Sequence, residues 1–128
     1  MSELARKRCV PCQEGMAPLS ESESAGLLRQ LDGWQLDGWQ LVVGPRLHRR
    51  WDFPDFSSAL VFVNHVGTVA EAENHHPDIT LAWGRVVVDL WTHAAGGLTE
   101  NDFIVAAKLD AVHAASVKAL VAPPSYPK

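Results

Sequence analysis

The spacing of hydrophobic positions changes several times along the chain, and each change predicts a different secondary-structure element. Ser20 and Glu23 form an S-x-x-E capping pattern ahead of an apolar run, which predicts a helix over about 20–32. Strict alternation over 46–53 predicts an amphipathic strand. Apolar spacings of three and four residues over 54–74 predict an amphipathic helix, which ends before Pro77.

The second half of the chain repeats this order. Alternating apolar residues on both sides of Gly84 predict a β-hairpin. Thr99 and Asp102 resemble another capped helix start, and helical spacing continues to about residue 121. Strands joined by hairpins are antiparallel, so the order α-β-β-α-β-β-α predicts an α+β fold with two layers. Three helices would cover one face of a four-stranded antiparallel sheet, whose edges could pair in a symmetric oligomer.

A five-residue duplication lies before the first predicted turn. Residues 32–36 read DGWQL, and residues 37–41 repeat them. The apolar residues of the two copies alternate in phases that differ by one residue. Asp37-Gly38 is therefore either a hairpin turn or a bulge within one long strand, and the pattern leaves both open.

Composition and charge describe one globular domain. The chain has 128 residues, of which 47% are hydrophobic and 20% charged. We divide it into an N-terminal arm (1–19), a single domain (20–122) and a proline-containing tail (123–128). With 11 Lys and Arg against 15 Asp and Glu, a nucleic-acid partner is not expected. The absence of a long apolar run or an apolar leader predicts a cytoplasmic protein without a membrane partner.

Histidines are concentrated where predicted elements end. His75 and His76 follow a helix, and His93 follows a strand. Imidazole, with a pKa near about 6.5, exchanges protons at neutral pH, so the three residues indicate a proton-transfer site. The alternatives are cations at a helix C-terminus or zinc ligands, but the HExxH spacing is missing and we expect no metal. The remaining histidines, His48, His65 and His113, read as surface or core residues.

The two cysteines form a single CxPC pair, Cys9 and Cys12, near the N-terminus. One such pair supplies only half of a four-ligand zinc site. No strand precedes it, as a thioredoxin-like motif would require. We therefore interpret it as a reduced pair in a flexible arm without a catalytic role.

Several motifs, in this order and at these distances, resemble the pterin-4a-carbinolamine dehydratases, also called 4a-hydroxytetrahydrobiopterin dehydratases. They are Glu71-x-x-x-His75-His76-Pro77, an aromatic residue at Trp83, Thr92-His93, and Gly96-Gly97-Leu98-Thr99-Glu100-x-Asp102-Phe103. The similarity extends to the CxPC arm and covers nearly the whole chain, as in bacterial members.

This resemblance implies a fold and a reaction. The fold is a four-stranded antiparallel sheet covered by helices on one side, assembled as a homodimer or homotetramer. The reaction is the dehydration of 4a-hydroxytetrahydrobiopterin to quinonoid dihydropterin in tetrahydrobiopterin recycling, a hydro-lyase step that needs no cofactor. A related pterin lyase, for example in molybdopterin metabolism, and a non-catalytic dimerisation or coactivator module remain alternatives.

The resemblance also implies roles for individual residues. His75, His76 and His93 would form the catalytic and substrate-binding site, with His76 and His93 in proton transfer and His75 chiefly in binding. Glu71 and Asp102 would be supporting carboxylates that orient the imidazoles.

The pterin ring also needs a flat wall, which Trp83 or Trp91 could supply. Asn74 and Asp78-Ile79 depart from residues found in some family members, so we assign them no role.

Overall fold

The computed structural model describes residues 2–13, 15–31 and 38–121, with side chains described up to residue 116. The helices in these ranges are α1 (Glu3–Arg6), α2 (Glu21–Leu28), α3 (Phe56–Glu73) and α4 (Glu100–Val121), with a short 3-10 helix at His93–Ala95. The strands are β1 (Gln40–Val42), β2 (Arg46–Asp52), β3 (Asp78–Ala82) and β4 (Arg85–Leu90). From α2 onward, the order of α-helices and strands is the one that the sequence predicts.

The four strands form one antiparallel sheet in the order β1-β2-β4-β3. The central pair runs from Leu47 opposite Leu90 to Asp52 opposite Arg85. β1 and β3 lie at the two edges, and each pairs with one neighbour within the sheet. The predicted α+β fold with a four-stranded antiparallel sheet is therefore confirmed.

The core lies between the sheet and the long helices. Alternate strand residues are buried because successive side chains of a strand point to opposite faces. The buried set comprises Leu47 and Trp51 of β2, and Val86, Val88 and Leu90 of β4. α3 contacts β3 and β4, and α4 contacts β2 and α3. The strand residues between them are more exposed. The helices therefore cover the face of the sheet that carries the buried residues.

The N-terminal arm contains a helix that the sequence pattern did not reveal. In α1, Leu4 and Ala5 are 2% and 4% exposed and belong to the core. The Ala5 carbonyl accepts a hydrogen bond of 2.8 Å from Nζ of Lys108 on α4. The sequence interpretation put the CxPC pair in a flexible arm, whereas α1 of this arm packs against α4. A single turn with two buried residues is too short to give a periodic signal.

Element boundaries differ modestly from the prediction. α2 ends at Leu28, before the expected residue 32, whereas β2 and α3 lie within two residues of their predicted bounds. Val43, in the turn between β1 and β2, is 99% exposed. The two predictions for Asp37-Gly38, a hairpin turn or a bulge, concern residues 32–37, which lie outside the described residues. In the described ranges, no helix has both the length and the apolar character needed to cross a bilayer.

Candidate active site

The end of α3 determines the directions of the two adjacent histidines. Asn74 adopts a left-handed conformation, with φ 50° and ψ 42°, which Asn tolerates better than most residues. The N–H of Asn74 bonds the Glu71 carbonyl at 3.2 Å, and the N–H of His75 bonds the Ala70 carbonyl at 3.1 Å. These two bonds form a Schellman motif. The chain therefore turns sharply, and His75 and His76 follow the turn directly.

His75 points into the protein. Its side chain is 6% exposed, and Nε2 lies 2.6 Å from Oδ1 of Asp102, which is fully buried. An ionised carboxylate only accepts hydrogen bonds, so Nε2–H of His75 is the donor. The pair joins the end of α3 to the first turn of α4.

The second oxygen of Asp102 binds two further groups. Oδ2 accepts the Thr92 hydroxyl at 2.8 Å and the Thr99 backbone N–H at 2.9 Å. The two threonine hydroxyl oxygens are 2.8 Å apart. Because the Thr92 proton goes to Asp102, Thr99 donates to Thr92. The hydrogen bond from the Thr99 N–H to Asp102 is one of the two bonds that make up a capping box. It confirms the predicted capped start of α4.

His76 points toward solvent. Its Nε2 lies 2.7 Å from Oε1 of Glu71, in the last turn of α3, and the two side chains are 55% and 80% exposed. A contact between two side chains this exposed contributes at most about 1 kcal/mol to folding. The adjacent histidines thus have different surroundings, and Glu71 restricts the orientation of the exposed one.

His93 lies in the 3-10 helix and is exposed. Its ring contacts the Trp91 ring, with centroids 4.6 Å apart and an interplanar angle of 51°. The Arg46 guanidinium also contacts Trp91, with Cζ 4.3 Å from a ring centroid. His93 is therefore next to a flat aromatic surface and is not part of either His–carboxylate pair.

The sheet register brings these segments to one end of the sheet. Asp78, which begins β3, pairs with Asp89 near the end of β4. His76 comes two residues before β3, and Trp91 and His93 follow β4, so all three lie toward this end of the sheet. Trp83 is 70% exposed in the turn at the opposite end of β3. Of the two candidate walls for a flat ligand, only Trp91 lies at the histidine end.

Three histidines outside this region occupy the surface and core positions expected for them. His48 pairs with Asp89 at 2.9 Å, and His65 is exposed on α3. The ring of His113 contacts the aromatic core residues Trp51, Phe53 and Phe62. Its burial, and secondarily the charge of Arg49, lower the pKa of His113.

No pattern in the sequence indicated that the CxPC segment approaches the histidines. Sγ of Cys12 lies 3.8 Å from Nδ1 of His75, a residue 63 positions further along the chain. The backbone N–H of Cys9 donates to Oε1 of Glu73 at 2.8 Å. Both cysteines are free thiols. Over the ranges that the structure describes, no group of three or more His, Cys, Asp or Glu side chains is arranged to hold a metal ion.

Comparison with known proteins identifies the family. Residues 17–112 match the family model described as pterin 4 alpha carbinolamine dehydratase. A relative from Chlorobium limicola, provisionally named a pterin-4-alpha-carbinolamine dehydratase, is 48% identical over 88% of this chain and 98% of its own length.

Two solved structures are also similar. One, from Brucella melitensis, is described as a transcriptional coactivator/pterin dehydratase; it has 41% identity and a TM-score of 0.67, covering 74% of this chain and 97% of its own. The other is a pterin dehydratase-like protein described as a RuBisCO assembly factor in the alpha-carboxysome. It has 25% identity and a TM-score of 0.50, over 59% of this chain and 88% of its own. The family match and these likenesses agree with the motifs around the histidines, and the chain belongs to the pterin-4-alpha-carbinolamine dehydratase family.

Proposed function

We propose that this protein catalyses the dehydration of 4a-hydroxytetrahydrobiopterin to quinonoid dihydropterin and water. The observation that carries the proposal is the arrangement of His75 and His76. They are adjacent in sequence, yet one is buried on Asp102 and the other is exposed on Glu71. The proposal is also supported by the position of His93 shortly after β4, whose end pairs with the start of β3.

The reaction suits a site made of imidazoles. The bond between C4a and the hydroxyl oxygen breaks, the oxygen leaves as water after accepting a proton, and N5 loses its proton. One group must act as an acid at the leaving oxygen and another as a base near N5. Each positioned acid or base typically contributes a factor of about 10² to 10⁴, or roughly 3 to 5 kcal/mol. The proposed reaction requires neither a metal nor a redox cofactor.

Exposure supports the division of roles among the histidines. His76 and His93 are open to solvent and can reach a ligand outside the fold, so we assign proton transfer to them. His75 already donates Nε2–H to buried Asp102, so we assign it chiefly to binding and orientation. Glu71 orients His76, and Asp102 orients His75. Trp91 offers a flat surface beside His93 for the pterin ring.

The setting of the reaction is part of the same proposal. The substrate would arise from aromatic amino-acid hydroxylation in the cytoplasm, and the product would return to the tetrahydrobiopterin pool.

We also infer a homodimer or homotetramer, because β1 and β3 are edge strands that a second copy could extend. Light scattering at micromolar concentration tests this, and a strictly monomeric mass would contradict it.

The decisive assay supplies the purified protein with 4a-hydroxytetrahydrobiopterin generated in place by an aromatic amino-acid hydroxylase. We expect the decay of the carbinolamine to accelerate in proportion to protein concentration, and heat-unfolded protein serves as the control.

The RuBisCO assembly factor shows that a similar fold is described for a different task, which favours a non-catalytic module as the second candidate. Folded protein that leaves the spontaneous rate unchanged would support that alternative.

A further inference from the structure

The CxPC segment is fixed against the start of α4. The backbone N–H of Val10 donates to Oδ1 of Asn101 at 3.0 Å, and Nδ2 of Asn101 donates to the Val10 carbonyl at 2.7 Å. Asn101 is only 2% exposed. This pair of bonds holds the segment in register with α4, so the approach of Cys12 to His75 is a defined contact.

Cys12 has the surroundings of an activated nucleophile. The residue is exposed, and its Sγ lies 3.8 Å from Nδ1 of His75 and 3.6 Å from Nδ2 of Asn101. Asp102 binds Nε2–H of His75, so Nδ1 is the nitrogen free to accept the thiol proton. The Asn101 amide is placed to donate to the thiolate that forms. A nucleophile, a base and a group that orients the base are the three parts of nucleophile activation in proteins.

Cys9, in the same motif, has the opposite surroundings. It is half-buried, and its Sγ lies 3.6 Å from the Asn101 carbonyl. Burial, and secondarily the carboxylate of Glu73, raise the pKa of the Cys9 thiol to about 12. Only the thiolate is a good nucleophile, so Cys9 stays protonated and unreactive at neutral pH.

We propose that Cys12 is a covalent modification site that reacts with low-molecular-weight disulfides, with His75 as its base and Asp102 holding that base. The Cys12 thiol gives its proton to Nδ1 of His75, and the sulfur attacks one sulfur of the disulfide. The S–S bond of the reagent breaks, one half stays on Cys12 as a mixed disulfide, and the other half leaves as a thiolate that takes the proton. Cys9 remains a thiol.

Dithiodipyridine, an uncharged aromatic disulfide, is a suitable probe because each reaction releases a coloured thiopyridone. In the Cys9→Ser variant, Cys12 should react at least about tenfold faster in the folded protein than in urea, since only folding supplies the base. Free cysteine in the same urea solution corrects for the solvent. The Cys12→Ser variant is the matched control and should lack the fast phase. Peptide mapping of the wild-type protein should find the first label on Cys12.

The His75→Gln variant tests the base, because glutamine keeps an N–H donor for Asp102 but accepts no proton. If the variant folds by circular dichroism, its Cys12 should react at least about tenfold more slowly. An unchanged rate in the folded variant would overturn the proposal, as would equal labelling of Cys9 and Cys12. If the variant does not fold, the test is the Cys9→Ser variant, whose Cys12 reaction rate is compared between the folded and the urea-unfolded protein. A rate in the folded protein no higher than that in urea overturns the proposal.

Discussion

Nε2 of His75 lies 2.6 Å from Oδ1 of Asp102, and the two side chains are 6% and 0% exposed. Asp102 also accepts two hydrogen bonds from Thr92 and Thr99, so its carboxylate is held from three directions. The pair connects the end of α3 to the start of α4, and Thr92 links it to the end of β4. It fixes the segment that presents His76 to solvent.

Replacing Asp102 with Asn should strongly destabilise the fold. The amide cannot accept hydrogen bonds at both former oxygens, which leaves a buried donor without a partner. A buried donor left without a partner in this way typically costs about 1 to 3 kcal/mol. Urea unfolding measures the loss. Asp89→Asn is the matched control, because the more exposed His48–Asp89 pair should contribute less than about 1 kcal/mol. Equal losses in the two variants would contradict the importance of the buried pair.

The two adjacent histidines should have separable phenotypes. His76→Ala should mainly lower kcat, because it removes an interaction made in the transition state, and His75→Ala should mainly raise KM. His75→Ala should also lower the melting temperature, since it leaves Asp102 buried without its imidazole partner. Steady-state kinetics at a temperature where both variants are folded checks the split. Interchanged phenotypes would refute these role assignments.

The first helix should contribute measurably to stability. Leu4 is 2% exposed in the core, and truncating a buried leucine to alanine typically costs about 2 to 5 kcal/mol. Val10→Ala is the control, because Val10 is 59% exposed and its loss should change the free energy of unfolding by less than about 0.5 kcal/mol. Denaturant unfolding of both variants tests this. A Leu4→Ala variant as stable as wild type would show that α1 does not pack against α4.

Stability should fall on acidification partly through His113. Its pKa in the folded protein is lowered from 6.5 by burial, so the unfolded chain binds the proton more readily. This residue's contribution is complete above its unfolded-state pKa and is lost progressively as the pH falls through the lower folded-state value. His113→Gln should therefore reduce the decrease in unfolding free energy between about pH 7.5 and pH 5. An identical decrease in the variant and the wild type would contradict the assignment.

Local patterns predicted much of the fold, because they depend on neighbours in the sequence. The bounds of β2 lie within two residues of those predicted from the alternation over 46–53. The bounds of α3 lie within two residues of those predicted from the helical spacing over 54–74. The contact of Cys12 with His75 joins positions 63 residues apart, and no local pattern encodes it. Residues of the histidine site could be named from family motifs, but burial of His75 and exposure of His76 follow from the turn at Asn74 and from the packing of α4.

The most direct test of the proposed function compares the turnover of 4a-hydroxytetrahydrobiopterin by wild-type protein with that of three single variants. His76→Ala and His93→Ala should each lower kcat by a factor of about 10² to 10⁴, because each removes one acid or base. His65→Ala, which replaces an exposed histidine on α3, should retain wild-type turnover. Wild-type-like kcat values in folded His76→Ala and His93→Ala protein would contradict histidine acid–base catalysis.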